Sequence, residues 1–390
     1  MFKSRTRIKQ LFTRKEPFIL ESGQSLGEVQ LAYETYGKLN KDGRNAILVC
    51  HALTADAHAA GLPVLDSRIL EEIPLYRSKN PDQPGWWNDL IGPGKALDTD
   101  RYFIISSNVL GSCYGSTGPA SFKPGSRQTY GPDFPEITVR DMVRAQKRLL
   151  DSLGVKELFT AVGGSLGGMQ VLEWALLYPQ MIRSIIPIAT SAGHSAWAIG
   201  YSHLTRQAIM TDPSWNNGYY RKQPHRGLSL ARQIGMVSYR TDISFEQRFG
   251  RHKQAGAATA PFKVESYLSY QGKKLVQRFD ANSLITLTRA MDNHDVGRGR
   301  KGISNALATI NARALCIGIS SDILYPASEQ KQIARAIPHS LYRELISNDG
   351  HDSFLIETDR IGRLISDFLN SIFPNSRQES LVYDNYEIRR

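Results

Sequence analysis

The sequence predicts an α/β fold, a mostly parallel, doubly wound sheet interrupted by an inserted helical lid. Short β-rich apolar runs alternate with stretches of helical periodicity, the pattern of successive βαβ units. That alternation stops at about Ser191 and resumes at Ala314. The stretch between is rich in Arg, Gln, Tyr and Asn and is spaced for helices.

Taken in order, Asn45 to His51 (NAILVCH) is the first strong strand and Tyr102 to Val109 the next. Thr138 caps a helix running to Leu153, with Asp141 in its first turn and Met142, Ala145, Leu149 and Leu153 along one side. Gly154 closes it. Leu158 to Gly163 is a strand that breaks at Ser165 into a helix ending near Tyr178-Pro179, and Ile185 to Ala189 is a further strand. Helices such as Ser283 to Met291 fill the inserted stretch. Then come the strand Ala314 to Ile319, a helix from Ala327 to Ala336, the strand Leu341 to Ile346 and an amphipathic helix from Asp352 to Phe373. On these boundaries residues 1–190 and 311–375 form the core, 191–310 the lid and 376–390 a polar tail.

The 390 residues carry 48 Lys+Arg against 37 Asp+Glu, a formal charge of +11, with 41% hydrophobic content. Such composition excludes disordered, collagen-like and coiled-coil chains. The longest apolar runs are only about five or six residues, so no membrane-spanning helix is expected. Lys3, Arg5, Arg7, Lys9, Arg14 and Lys15 crowd the start without an acid, and no apolar stretch follows them. A cytoplasmic protein with a basic N-terminal arm is expected, an organelle transit peptide being the alternative. Cys50, Cys113 and Cys316 cannot complete a disulfide framework, which fits a reducing compartment. Residues 191–310 hold 17 Lys+Arg and 7 Asp+Glu, nearly all of the excess charge. A solvated surface accounts for that; so does a funnel for an anionic, nucleotide-bearing ligand. With no zinc-ligand spacing and no aromatic RNA-binding strand motif, neither a metal nor nucleic acid is expected.

Gly163-Gly164-Ser165-Leu166-Gly167 matches G-x-S-x-G between a strand and a helix, the context of a nucleophile elbow. These glycines lack the G-x-G-x-x-G spacing of a dinucleotide loop, the competing use of a Gly-rich βα turn. A serine hydroxyl needs a base, and the base an orienting acid. In the α/β-hydrolase order of Ser, acid, His, Asp322 follows the strand ending at Ile319, and His351 follows the strand ending at Ile346. Each candidate falls at a strand's carboxyl end, where open α/β sheets build their sites. Asp322 could instead cap the following helix, and Asp349 is a rival acid. An oxyanion hole would use the amide of Leu166 and one from the loop His51-Ala52-Leu53-Thr54, with Leu53 the best candidate; a plain βα loop is the alternative.

Asn108 to Pro119 (NVLGSCYGSTGP), His51 to Thr54, Gly163 to Gln170 (GGSLGGMQ) and Gly350-His351-Asp352 together resemble the homoserine O-acetyltransferase family, over about Glu21 to Phe373. The resemblance implies an α/β-hydrolase core, a helical lid and usually a homodimer formed through that lid. It implies transfer of an acetyl group from acetyl-CoA, a substrate rather than a cofactor, through Ser165 to the hydroxyl of homoserine, in methionine biosynthesis. Ser165, Asp322 and His351 match the triad, and Leu53 and Leu166 the oxyanion donors. Arg206 matches the arginine that holds the amino-acid substrate and Asp352 its acidic partner. A solvated helix residue and a helix N-cap are the respective alternatives. Succinyl-CoA as donor, serine as acceptor, or a plain Ser-His-Asp esterase remain as alternative activities.

Overall fold

The computed structural model describes residues 2–256 and 259–372. Eight strands make the central sheet: β1 (Arg7–Phe12), β2 (Val29–Tyr36), β3 (Ala46–Cys50), β4 (Phe103–Ser107), β5 (Leu158–Gly164), β6 (Ser184–Ile188), β7 (Arg313–Ile319) and β8 (Ser340–Leu345). Their spatial order is β1-β2-β4-β3-β5-β6-β7-β8. From β4 to β8 all neighbours are parallel, while β2 runs antiparallel to both β4 and β1. The chain leaves β3 for β4 on one side and returns to β5 on the other. The loops after β3 and β5 therefore open a crevice at the carboxyl ends of the strands.

Central strands are buried on both faces, which explains their unbroken apolar runs. Alternation still decides which layer each side chain joins. Ala46, Leu48 and Cys50 of β3 pack with Val171, Leu172 and Trp174, whereas Ile47 and Val49 pack with Phe354, Ile361 and Ile365 on the other face. Helix α1 (Val139–Ser152) starts at Thr138, which forms a capping box with Asp141 and buries Met142, Ala145 and Leu149. Helix α2 (Leu166–Leu177) follows β5 directly.

Between β6 and β7 the chain makes α3 (Ala196–Met210), α4 (His225–Tyr239), α5 (Asp242–Phe249), α6 (Lys263–Arg278), α7 (Ala281–Asp292) and α8 (Ile303–Ala308), and among the described residues it adds no strand to the central sheet. Helix α9 (Ala327–Ala336) joins β7 to β8, and α10 (Thr358–Ile372) ends the described chain. Among the described residues no helix is long and apolar enough to cross a membrane. The polar tail expected at 376–390 lies outside the described residues.

Two expectations are corrected. The basic N-terminus is an edge strand rather than an arm: β1 pairs with β2, and Ser4 and Thr6 donate to the buried Glu34 carboxylate. Exposed Arg7 and Lys9 suit an edge that must not recruit another strand. The helix expected from Asp352 is split. A 3-10 turn, Gly350–Asp352, and a short helix, Ser353–Ile356, precede α10, and Glu357 breaks the run with φ −93° and ψ 49°. The split lets the Phe354 carbonyl accept from the Trp87 indole at 3.1 Å and lets its ring fall back onto the elbow.

Candidate active site

Ser165 sits between β5 and α2 at φ 59° and ψ −125°, a strained conformation for a residue with a Cβ. Its side chain makes no capping bond to α2, so the hydroxyl is not spent on the helix. The flanking glycines are dictated by close approach. A Cβ at Gly163 or Gly167 would stand 2.5 or 2.1 Å from the Cys50 carbonyl oxygen, and one at Gly164 would stand 2.6 Å from the Phe354 ring. The elbow is thus pressed onto the end of β3 and beneath Phe354.

Asp322, in the turn after β7, accepts at Oδ1 from the Leu324 and Tyr325 amides at 2.8 and 2.9 Å. Its Oδ2 lies 2.7 Å from Nδ1 of His351, and both side chains are buried. Nδ1 donates to the carboxylate, leaving Nε2 with a free lone pair. Burial pulls the imidazole value down, but the charge and hydrogen bond of Asp322, with Asp352 adding, raise it above the ordinary histidine value. The His351 ring packs 5.6 Å from that of Phe354, the residue covering Gly164. Asp349, the rival acid, is taken by Arg240 at 2.9 Å.

His51 is a structural residue. Its Nδ1 donates to the Ala52 carbonyl at 2.8 Å, its Nε2 accepts from the Val109 amide at 3.0 Å, and burial holds its value down. Gln170 donates to the carbonyls of both His51 (3.4 Å) and Leu166 (3.1 Å), stitching the β3 loop to the elbow. The Leu166 amide opens α2 and has no partner in the helix by position. Neither it nor the Leu53 amide donates a hydrogen bond among the described residues. Two such N–H groups could receive an oxyanion.

A cavity is walled by Leu53 and Thr54, by Tyr201, Arg232 and Tyr239 of the insertion, and by Leu324 and Tyr325 beside Asp322. Tyr239 and Tyr325 also stack on His351, at 5.8 and 5.2 Å between ring centroids. Arg206 is not part of this wall. Its guanidinium is 2.6 Å from Asp292, which is 3.1 Å from Nδ1 of His194, whose Nε2 meets the Tyr325 hydroxyl at 2.9 Å. Asp352 makes no capping bond to the helix that follows, and its nearest cation is Arg240 at 3.6 Å.

Arg232 is a cavity residue that the sequence did not single out. It lines the cavity, stacks over Tyr239 at 5.6 Å and has no carboxylate within 4 Å among the described residues. Burial pulls its guanidinium below the ordinary arginine value, with Tyr239 and Asp352 opposing and Arg278 adding. One arginine among 17 basic residues of the insertion carries no mark in sequence; only the fold places it on the cavity wall.

The elbow, the sheet order and the Ser-Asp-His sequence of strand ends define an α/β hydrolase, and residues 45–358 match the family model for that fold. The chain is 51% identical over 366 residues to the homoserine O-acetyltransferase of Moorella thermoacetica, covering 91% of this chain and 94% of that protein. The crystal structure of homoserine O-acetyltransferase from Bacillus anthracis superposes with a TM-score of 0.84 at 28% identity, covering 95% of this chain and 98% of that one. Esterase E22 superposes with a TM-score of 0.83 at 28% identity, covering 94% and 100%. The chain belongs to the homoserine O-acetyltransferase family.

Proposed function

We propose that this enzyme moves an acetyl group from acetyl-CoA to the hydroxyl of L-homoserine by a ping-pong route, a step of methionine biosynthesis. One observation carries the reading: a buried His351 oriented by Asp322 beside an elbow whose serine hydroxyl is unspent. Nε2 of His351 takes the Ser165 proton as Oγ bonds to the thioester carbon. The Leu53 and Leu166 amides hold the oxygen that becomes negative. Collapse breaks the C–S bond, and CoA leaves with the proton from His351. The homoserine hydroxyl then gives its proton to His351 and attacks the acetyl-serine, and the released Ser165 recovers a proton from the imidazole.

Arg232 would grip the homoserine carboxylate through two parallel N–H bonds, with Asp352 near enough to favour the ammonium group. Arg206 then serves the frame, holding Asp292 against His194. The insertion, read as a basic lid, attracts the CoA phosphates. Its helices α3 and α4 pack side by side and expose Trp197 (56%), Leu204 (53%), Leu230 (49%) and Val237 (46%), apolar side chains suited to a homodimer.

The test follows free thiol with acetyl-, propionyl- and succinyl-CoA against homoserine and serine. Homoserine should raise CoA release far above the background, and Ser165→Ala should abolish it. Water as acceptor is the second reading, favoured by the likeness to esterase E22. CoA release unaffected by homoserine would select it.

A further inference from the structure

The segment Gly111 to Pro119 takes no part in the chemistry above, yet it is ordered around one contact. Tyr114 is buried, with its ring against Tyr76 and Phe279, and Asn108 donates to its carbonyl at 3.2 Å. Its hydroxyl donates to the carbonyl of Arg278, the last residue of α6, and accepts from that residue's Nη1 at 3.1 Å. The same Nη1 donates to the Thr54 carbonyl at 2.6 Å, and Nη2 reaches the Thr54 hydroxyl at 3.3 Å. The arginine is therefore held at its root and at its tip.

Thr54 follows Leu53 directly. We infer that Arg278 is a positioning residue for acyl transfer, clamping Thr54 so that the Leu53 amide stays aimed at the developing oxyanion, with Tyr114 bracing the clamp. A planar fork on a carbonyl and a hydroxyl of one residue fixes both the peptide plane and the side-chain rotamer, which a point charge cannot do. The far side of the same loop is fixed from the core, by His58 against Glu34 at 3.1 Å and by Asp56 against Lys79. Arg278 comes from the insertion, so the seating of α6 is transmitted to the loop. No carboxylate lies within 4 Å of Arg278 among the described residues. Burial draws its value down and Tyr114 leads the groups that raise it, leaving it fully cationic.

The inference rests on the acyl-serine reading, and its test separates the two. Acetylation of Ser165 is followed by rapid quench and mass spectrometry after mixing with acetyl-CoA, for wild type, Arg278→Met, Arg278→Lys and Tyr114→Phe. The acetylation rate should fall about 30-fold or more in Arg278→Met, with the acetyl-CoA KM within about threefold. Millimolar guanidinium should restore part of it, and lysine should not substitute. Tyr114→Phe, which removes one oxygen atom, should fall about three- to tenfold at an unchanged melting temperature. A residue that merely anchors α6 would lower the melting temperature and leave the acetylation rate alone. Wild-type rates in Tyr114→Phe and in folded Arg278→Met overturn the inference, and if Arg278→Met does not fold, Tyr114→Phe decides alone. Absence of acetyl-Ser165 in the wild type would overturn the acyl-serine reading itself.

Discussion

Oδ2 of Asp322 lies 2.7 Å from Nδ1 of His351 while Oδ1 of the same carboxylate accepts two backbone amides. One side chain therefore fixes its own loop with one oxygen and the imidazole with the other. Asp322→Asn keeps the size and an oxygen acceptor but can turn an NH₂ toward Nδ1, which favours the tautomer with its proton on Nε2. That tautomer cannot accept from Ser165. We expect kcat to fall about 10⁴-fold, the drop the same change produces in a serine protease, while thermal unfolding shifts little. A residual activity within tenfold of wild type would remove Asp322 from the relay.

The pH dependence follows from the direction of the His351 shift. Burial lowers the imidazole value, Asp322 outweighs it, and the folded value ends above that of the unfolded chain, about 6.5. Acylation needs the neutral ring, so kcat/KM should rise with pH along a limb centred above about 6.5 and should move down in Asp322→Asn. Stability runs the other way. The contribution of the protonated ring is fully present below about pH 6.5 and disappears as pH climbs through the folded value. Denaturant titrations of wild type and His351→Gln should converge as pH rises. Divergence in that direction would contradict the assigned shift.

Ser165 adopts a backbone conformation that glycine tolerates and alanine does not. Ser165→Gly and Ser165→Ala should both lack acyl transfer. The glycine variant should nevertheless be the more stable of the two, by about 1–3 kcal/mol if the strain is released in full. Equal denaturation midpoints would mean that the elbow carries no strain.

Arg232 and Arg206 are separable by what they change. Arg232→Met should raise the homoserine KM about tenfold or more and leave acetylation of Ser165 intact, because a bidentate charged contact is lost only in the second half-reaction. Arg206→Met leaves Asp292 without its cation, and the partly buried pair suggests a stability loss on the order of 3 kcal/mol with a smaller effect on homoserine KM. Steady-state kinetics beside urea titrations distinguish the two, and a homoserine KM that responds to Arg206 alone would reverse the assignment.

Much of the core was legible because local signals and the fold agree there. The runs Ala46–Cys50 and Leu158–Gly164 are apolar because both sheet faces cover them, and Thr138 with Asp141 announces a helix start that the structure realises. Asp322 and His351 were picked from chain order and from their places after strands, and the structure brings them within 2.7 Å of each other. Strand β1 was hidden because an edge strand exposes basic side chains and reads as an arm. Arg232 was hidden because it is set apart by its place in the cavity wall, which tertiary contacts decide as they decide the pairing of Arg206 with Asp292. Thr54, Tyr114 and Arg278 stand 60 and 164 residues apart in succession, a separation no local pattern bridges.

The exposed apolar side chains of the insertion give the last prediction. Trp197 and Leu204 are seven residues apart on α3, and Leu230 and Val237 are seven apart on α4, so each pair lines one side of its helix over two turns. Large side chains at 46–56% exposure on adjoining helices cost solubility unless something covers them. A second copy of the chain can do so through a two-fold axis, each stripe meeting its counterpart. Trp197→Glu with Leu204→Glu places like charges at that contact and should halve the mass measured by sedimentation equilibrium, leaving far-UV circular dichroism unchanged. Because Tyr201 of the same helix lines the cavity, the separated protomers should also show a raised homoserine KM. A wild-type protein that sediments as a monomer at micromolar concentration would leave these stripes without a second copy to cover them.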